Sequence, residues 1–218
     1  MTGALVAVCA VAGWAIGSLL RPVVERVTAE RSEGRPPTGR SRLTAPVTAV
    51  AFGATAWGFG WTWSLPAYLA LAAFLVVLTL IDVDTRTLPR RIVWTAGATG
   101  VGLLGVASIA TGEPQRIILA AIGATVAFVF LCALSILARG GFGFGDVRLG
   151  AVLGWYLGWQ SLSLMITGLA AAFVVSAVIG VVLMASGRAG RRTEVPFGPA
   201  LAIGAFLVLL AAAPIPLP

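Results

Sequence analysis

The chain has 218 residues, of which 59% are hydrophobic and only 11% are charged, and its mean hydropathy is +0.99. This composition excludes an ordinary soluble globular protein and predicts an all-α, polytopic integral membrane protein. The net charge of +7 does not indicate a nucleic-acid partner, because all fifteen basic residues are arginines in short segments between apolar runs.

Apolar runs separated by turn and charge signals predict about eight membrane-spanning helices. The predicted spans lie near residues 3–20, 45–62, 66–82, 92–110, 116–138, 147–158, 161–186 and 197–214. The first run has no basic segment before it and no convincing small-residue cleavage site, so we expect a retained helix rather than a signal peptide. We expect one membrane domain over 1–218. Its N-terminal helices (1–64) enclose a short cytoplasmic loop at 21–44, and its core covers 65–218.

The arginines predict the orientation of these spans. Six of them follow the first span, and Arg86, Arg90 and Arg91 follow the third. The loops after the fifth and seventh spans are also basic, and only Arg116 falls outside the pattern. Because cytoplasmic loops are enriched in basic residues, the loops after odd-numbered spans should face the cytoplasm.

Two aspartates stand at the ends of predicted spans. Asp82 ends the third span and Asp146 opens the sixth, so the topology places both at the cytoplasmic membrane boundary. A carboxylate there is costly unless it has a function. Taken alone, Asp82 is equally compatible with a water-facing residue or a partner of a nearby arginine. We expect Asp84 to be a solvated loop residue and therefore prefer Asp82.

A pair of nearby carboxylates has a specific chemistry. The two cannot easily both ionise, so one keeps a proton near neutral pH. Such a pair can cleave a peptide bond without histidine or metal, because one carboxylate accepts a proton from attacking water while the other donates one to the substrate. The chain has no histidine, and Cys9 and Cys132 lie inside apolar runs, so we expect no metal site and no cofactor. A non-enzymatic transporter or assembly factor, with a proton- or cation-binding aspartate pair, is the alternative.

Glycines surround the second aspartate. Gly143 and Gly145 precede Asp146 and either let a substrate backbone approach closely or give the chain positive φ angles. Three more glycines follow at steps of four and form a stripe against which another helix is expected to pack: Gly150, Gly154 and Gly158.

Three stretches, in this order, resemble the prepilin peptidases, or type IV leader peptidases, which belong to the GxGD membrane aspartyl proteases. The stretches are DVDTRTLP at 82–89, GFGDVRL at 143–149 and EVPFGPAL at 194–201. The resemblance covers roughly residues 65–215. It implies a peptidase with Asp82 and Asp146 as the catalytic pair and with Gly143 and Gly145 at the substrate. Arg90 departs from the family, which often has Asp or Asn there.

The resemblance also implies a substrate and a location. The substrates would be type IV prepilins or pseudopilins, whose basic leader is removed at the cytoplasmic face of the bacterial inner membrane. Longer members of the family have paired cysteines in an early loop and also N-methylate the new terminus. The loop at 21–44 has no cysteine, so we expect a peptidase without methyltransferase activity.

Overall fold

A computed structural model describes residues 2–31, 39–137, 143–186 and 197–213 of the chain. All regular secondary structure in these ranges is helical. The helices are α1 (Thr2–Arg31), α2 (Thr44–Phe59), α3 (Leu65–Thr85), α4 (Arg90–Thr111), α5 (Gln115–Leu137), α6 (Phe144–Gln160), α7 (Leu162–Ala185) and α8 (Phe197–Ala211), with a 3₁₀ turn at Arg40–Leu43 before α2. This confirms the predicted all-α class.

Five of the described helices, α1, α3, α4, α5 and α7, are long and apolar enough to cross a membrane. The chain is therefore a multi-pass membrane protein. The other three, α2, α6 and α8, have 16, 17 and 15 residues, which is shorter than the roughly 20 that usually span a bilayer. That all eight helices cross stays a prediction.

The chain divides into two compact units. The first contains Met1–Pro114 and Leu210–Pro218, and the second contains Gln115–Leu209. The first unit carries α1 to α4 and the second carries α5 to α7 with most of α8. The single-domain organisation with a core at 65–218 stays a prediction.

Close packing of α1 on α2 organises the first unit. A methyl group added at Gly17 would lie 2.8 Å from the carbonyl oxygen of Thr44, and one at Gly13 would lie 2.8 Å from that of Thr48. Two glycines at a spacing of four thus allow the two backbones to approach closely. The buried Thr48 hydroxyl donates to the Thr44 carbonyl at 2.6 Å, so it is satisfied inside its own helix.

Helix α1 is longer than the span predicted near 3–20, and its last eleven residues occupy the start of the predicted loop at 21–44. Hydropathy marks only the apolar part of a helix, whereas a helix can continue beyond that part when other interactions support it. Here Arg21 pairs with Glu25 one turn later at 2.8 Å. Val24, which is 1% exposed, packs with Val77 and Ile81 of α3.

The glycine stripe of α6 organises the second unit, as predicted. A methyl group at Gly154 would lie 2.5 Å from the carbonyl oxygen of Gly123 on α5, and one at Gly158 would lie 2.8 Å from that of Leu119. A side chain at Gly150 would collide with Leu131. The stripe therefore seats α6, which carries Asp146 in its first turn, tightly on α5.

Candidate active site

Asp82 begins the last turn of α3, a helix whose earlier residues are almost all apolar. It is 4% exposed, and the neighbouring Ile81 is completely buried. Its carboxylate makes no hydrogen bond or ion pair with any residue that the structure describes. A buried acid without a compensating partner costs folding free energy, which favours a functional reason for its presence.

The chain turns sharply just after Asp82. Arg86 adopts a left-handed conformation (φ 51°, ψ 32°), and its amide donates to the Asp82 carbonyl oxygen at 2.7 Å. A left-handed residue after the last turn closes a helix, although an arginine adopts it less readily than a glycine. Pro89 is extended and α4 begins at Arg90. The helix end therefore fixes Asp82 one turn from the connection to α4.

Asp84 differs from the prediction. It lies within α3 rather than in a loop, and its side chain is only 6% exposed. Arg40, which is 44 residues away in the 3₁₀ turn before α2, donates to its carboxylate at 2.7 Å. The prediction of a solvated Asp84 was wrong because α3 continues to Thr85. In addition, the 3₁₀ turn before α2 brings Arg40 to the end of α3. No local spacing in the sequence signals this pair.

Asp146 lies in the first turn of α6, as predicted, and is 8% exposed. Its amide donates to the carbonyl oxygen of Gly143, the residue that caps the helix, at 3.0 Å. The amide groups of a first helical turn point outward and create a positive potential that stabilises a carboxylate. The local fold thus holds the Asp146 carboxylate at a helix N-terminus.

Gly143 stands directly beside this carboxylate. A methyl group added there would lie 3.4 Å from Oδ2 of Asp146, which is van der Waals contact distance. Gly143 itself is exposed. The alternative of positive φ angles is wrong: Gly143 has φ −68° and Gly145 lies inside α6 without a positive φ. The other expectation, that these two glycines let a substrate backbone approach closely, stays a prediction.

The third stretch of the resemblance is described only in part. Residues 194–196 lie outside the described residues, whereas Phe197, Gly198 and Pro199 form the first turn of α8. Gly198 and Pro199 are buried, and the ring of Phe197 packs on that of Phe173 with centroids 5.1 Å apart. A proline fits the first turn of a helix because its missing amide would have no intrahelical partner there. The Phe197 ring thus packs the start of α8 against α7.

Potential metal ligands do not cluster in the described residues. No group of three or more Asp, Glu or Cys side chains in those ranges could hold a metal ion. Cys9 is buried and Cys132 is half-buried, and both are free thiols.

Comparison of the sequence with known protein families identifies one that it matches. A model of the type IV leader peptidase family matches residues 69–185, which is more than half of the chain and includes both Asp82 and Asp146. The chain belongs to the type IV leader peptidase family. This membership confirms the resemblance carried by the 82–89 and 143–149 stretches, and the 194–201 stretch lies beyond the matched region.

Several relatives from this family are named prepilin leader peptidase/N-methyltransferase. The one from Neisseria gonorrhoeae is 34% identical over 174 residues, which cover 79% of this chain and 58% of the relative. That from Stutzerimonas stutzeri is 34% identical over 163 residues, covering 72% and 54%. That from Bacillus subtilis is 31% identical over 173 residues, covering 75% and 63%. The chain thus spans between about half and two thirds of these relatives. No solved structure matches it.

Proposed function

We propose that this chain is a membrane aspartic endopeptidase that removes the basic leader from type IV prepilins or pseudopilins. The observation that carries the proposal is the burial of Asp82 and Asp146, each at the end of a helix and inside the family's matched region. They are the two charged residues, among those described, that are buried as whole residues. Membrane proteins retain buried acids of this kind mainly where they serve a function.

Asp82, rather than Asp84, is the proposed partner of Asp146. The guanidinium of Arg40 forms an ion pair with Asp84 at 2.7 Å, so the Asp84 carboxylate already has a structural partner. The Asp82 carboxylate has no cation beside it among the described residues, so it is free to gain and lose a proton. A catalytic dyad requires a group that can do both.

In the proposed mechanism the two carboxylates act on one peptide bond. One is ionised and accepts a proton from the attacking water. The other is protonated and donates its proton to the carbonyl oxygen as the tetrahedral intermediate forms. The proton taken from water then passes to the leaving amine when the C–N bond breaks. Gly143 and Gly145 are proposed to admit the substrate backbone beside Asp146, since neither presents a side chain.

The arginines support a cytoplasmic location for this chemistry in a bacterial inner membrane. Seven of them lie in the last turns of α1, in the 3₁₀ turn before α2, or between the end of α3 and the first turn of α4, which is the end of the first unit that carries Asp82. They are Arg26, Arg31, Arg40, Arg42, Arg86, Arg90 and Arg91. Positive charge concentrates on the cytoplasmic side of membrane proteins. The junction between a prepilin's basic leader and its apolar helix would lie at the same level.

The proposal is tested by co-expressing the chain with a candidate prepilin in a bacterium that lacks its own leader peptidase. We expect a shorter product whose N-terminal sequence begins immediately before the apolar helix. The size of the pilin is followed on gels, and its new terminus is read by mass spectrometry. Persistent full-length prepilin beside a folded, membrane-inserted chain would contradict the proposal. Solute or ion flux in proteoliposomes without any cleavage would instead support the transporter alternative.

Methylation of the product is a separate expectation. The loop between α1 and α2 has no cysteine, unlike the cysteine-containing loop of the bifunctional members that the sequence resembles. We expect the processed pilin to carry an unmodified N-terminal amine even when S-adenosylmethionine is supplied. Mass spectrometry of the N-terminal peptide distinguishes this product from a methylated one, with a bifunctional relative as the positive control. A methylated terminus that depends on this chain would show that the prediction is wrong.

A further inference from the structure

The first unit contains an open apolar groove of about 600 Å³ that the catalytic proposal does not use. Its walls come from α1, α2, α3 and the start of α4, and all lining residues are apolar except Arg91 and Thr95. Ile16 and Leu20 of α1 and Leu69 and Phe74 of α3 are among its lining residues. A concave apolar surface of this size is large enough for a ligand.

The two long walls of the groove are about as long as the acyl-chain layer of one bilayer leaflet is thick. On α1 the lining residues run from Ala12 to Val23, and on α3 they run from Pro66 to Val77. Each stretch contains twelve residues, and its eleven steps of 1.5 Å along the helix axis give a length of about 17 Å. The hydrocarbon core of a bilayer is about 30 Å thick, so one layer of acyl chains is about half that. The groove fits an acyl chain better than a complete transmembrane helix.

A positive charge lies at one end of the groove. Arg91 belongs to the first turn of α4, and the adjacent Ile92 packs against the cluster formed by Val24, Val77 and Ile81. The guanidinium therefore lies at the Val77 end of the groove. It is exposed and makes no ion pair or hydrogen bond with any residue in the described ranges. The groove thus combines apolar walls with a cation that has no partner among the described residues.

We propose that this groove binds an anionic phospholipid, whose phosphate contacts Arg91 and whose acyl chain lies between α1 and α3. Basic side chains at the end of a cleft between membrane helices are well suited to acidic headgroups. Trp94, one turn after Arg90 and 58% exposed, is an amphipathic side chain suited to the same headgroup level. The charge argues against a substrate's basic leader in this position, because Arg91 would repel it.

The binding test uses the purified chain in lipid nanodiscs that contain equal amounts of phosphatidylglycerol and phosphatidylcholine. Lipids that remain bound after release into the gas phase are identified by native mass spectrometry. We expect retained phosphatidylglycerol to exceed phosphatidylcholine, and Arg91→Gln to lower the excess about fivefold, the effect of one arginine near a membrane surface. Arg90→Gln is the matched control, because it removes the same charge from a neighbouring residue that does not line the groove. Equal retention of the two lipids, or equal losses in both variants, would overturn the proposal.

The acyl-chain part of the site is tested independently of the charge. Ala70 lines the groove and is half-buried, so Ala70→Phe should fill part of it and reduce phosphatidylglycerol retention while Arg91 is intact. Ala98→Phe, at an exposed position on α4 outside the groove, is the control and should retain the lipid. A photo-crosslinking residue at Leu69 should label lipid. Labelling of a prepilin helix instead would assign the groove to substrate and refute the lipid site.

Discussion

Cleavage of a prepilin is expected to fall at least about a hundredfold when Asp82 is replaced by asparagine, and by a similar factor for Asp146→Asn. Asparagine keeps the size of the side chain but can neither accept the proton from water nor donate one to the substrate. General acid-base groups typically contribute between about 10² and 10⁴ in rate. Both residues are buried, so a substitution of equal size should leave the packing around them unchanged.

The two carboxylates should behave as one unit. If neither carboxylate can catalyse cleavage without the other, the double variant Asp82→Asn with Asp146→Asn should be no slower than the slower single variant. The rate losses from removing groups that act together are strongly non-additive. Initial rates of processing in detergent, with enzyme concentration matched by absorbance, measure all three. Multiplied losses in the double variant would show that the two aspartates contribute separately and would contradict the dyad.

Asp84→Asn is the matched control for this experiment. It makes the same chemical change two residues away on the same helix, and it removes the charge that Arg40 binds. Arg40 is 47% exposed, so the pair should contribute no more than about 1 kcal/mol. We therefore expect activity within about fivefold of the parent. A loss equal to that of Asp82→Asn would transfer the catalytic role to Asp84 and overturn the assignment.

The sequence predicted the placement of the two aspartates at helix ends because that placement depends on local pattern. Asp82 interrupts a long apolar run, and Asp146 precedes a regular series of glycines. Hydropathy and glycine spacing are properties of neighbouring residues, so they can be recognised along the chain. The packing of α6 on α5 was predictable for the same reason: glycines four residues apart leave a groove on one helix face.

The errors concern interactions between segments that are distant in sequence. The burial of Asp84 depends on Arg40, 44 residues earlier, and no periodic pattern connects the two. The continuation of α1 to Arg31 depends on Val24 reaching α3, which hydropathy within α1 does not report. Tertiary contacts of this kind decide details that local sequence leaves open.

Gly154→Ala should lower the free energy of unfolding by about 1–3 kcal/mol, the usual effect of forcing extra volume into a packed interface. The added methyl group would lie 2.5 Å from the carbonyl oxygen of Gly123 and 2.8 Å from Cβ of Ala127, so α5 and α6 would have to separate. The displacement acts on the helix that carries Asp146, eight residues earlier, and should also slow cleavage. Unfolding is measured by denaturant titration in detergent micelles and followed by circular dichroism.

Gly180→Ala makes the same chemical change as Gly154→Ala, but we do not expect it to lower the free energy of unfolding. Gly180 lies in α7, and a methyl group there would meet no atom within 4 Å. Alanine forms helices more readily than glycine by up to about 1 kcal/mol, so this variant should be as stable as the parent or slightly more stable. The two substitutions therefore separate crowding at the α5–α6 contact from any general effect of alanine in a membrane helix. Equal stability of both variants would mean that α6 is not held against α5 by its glycines.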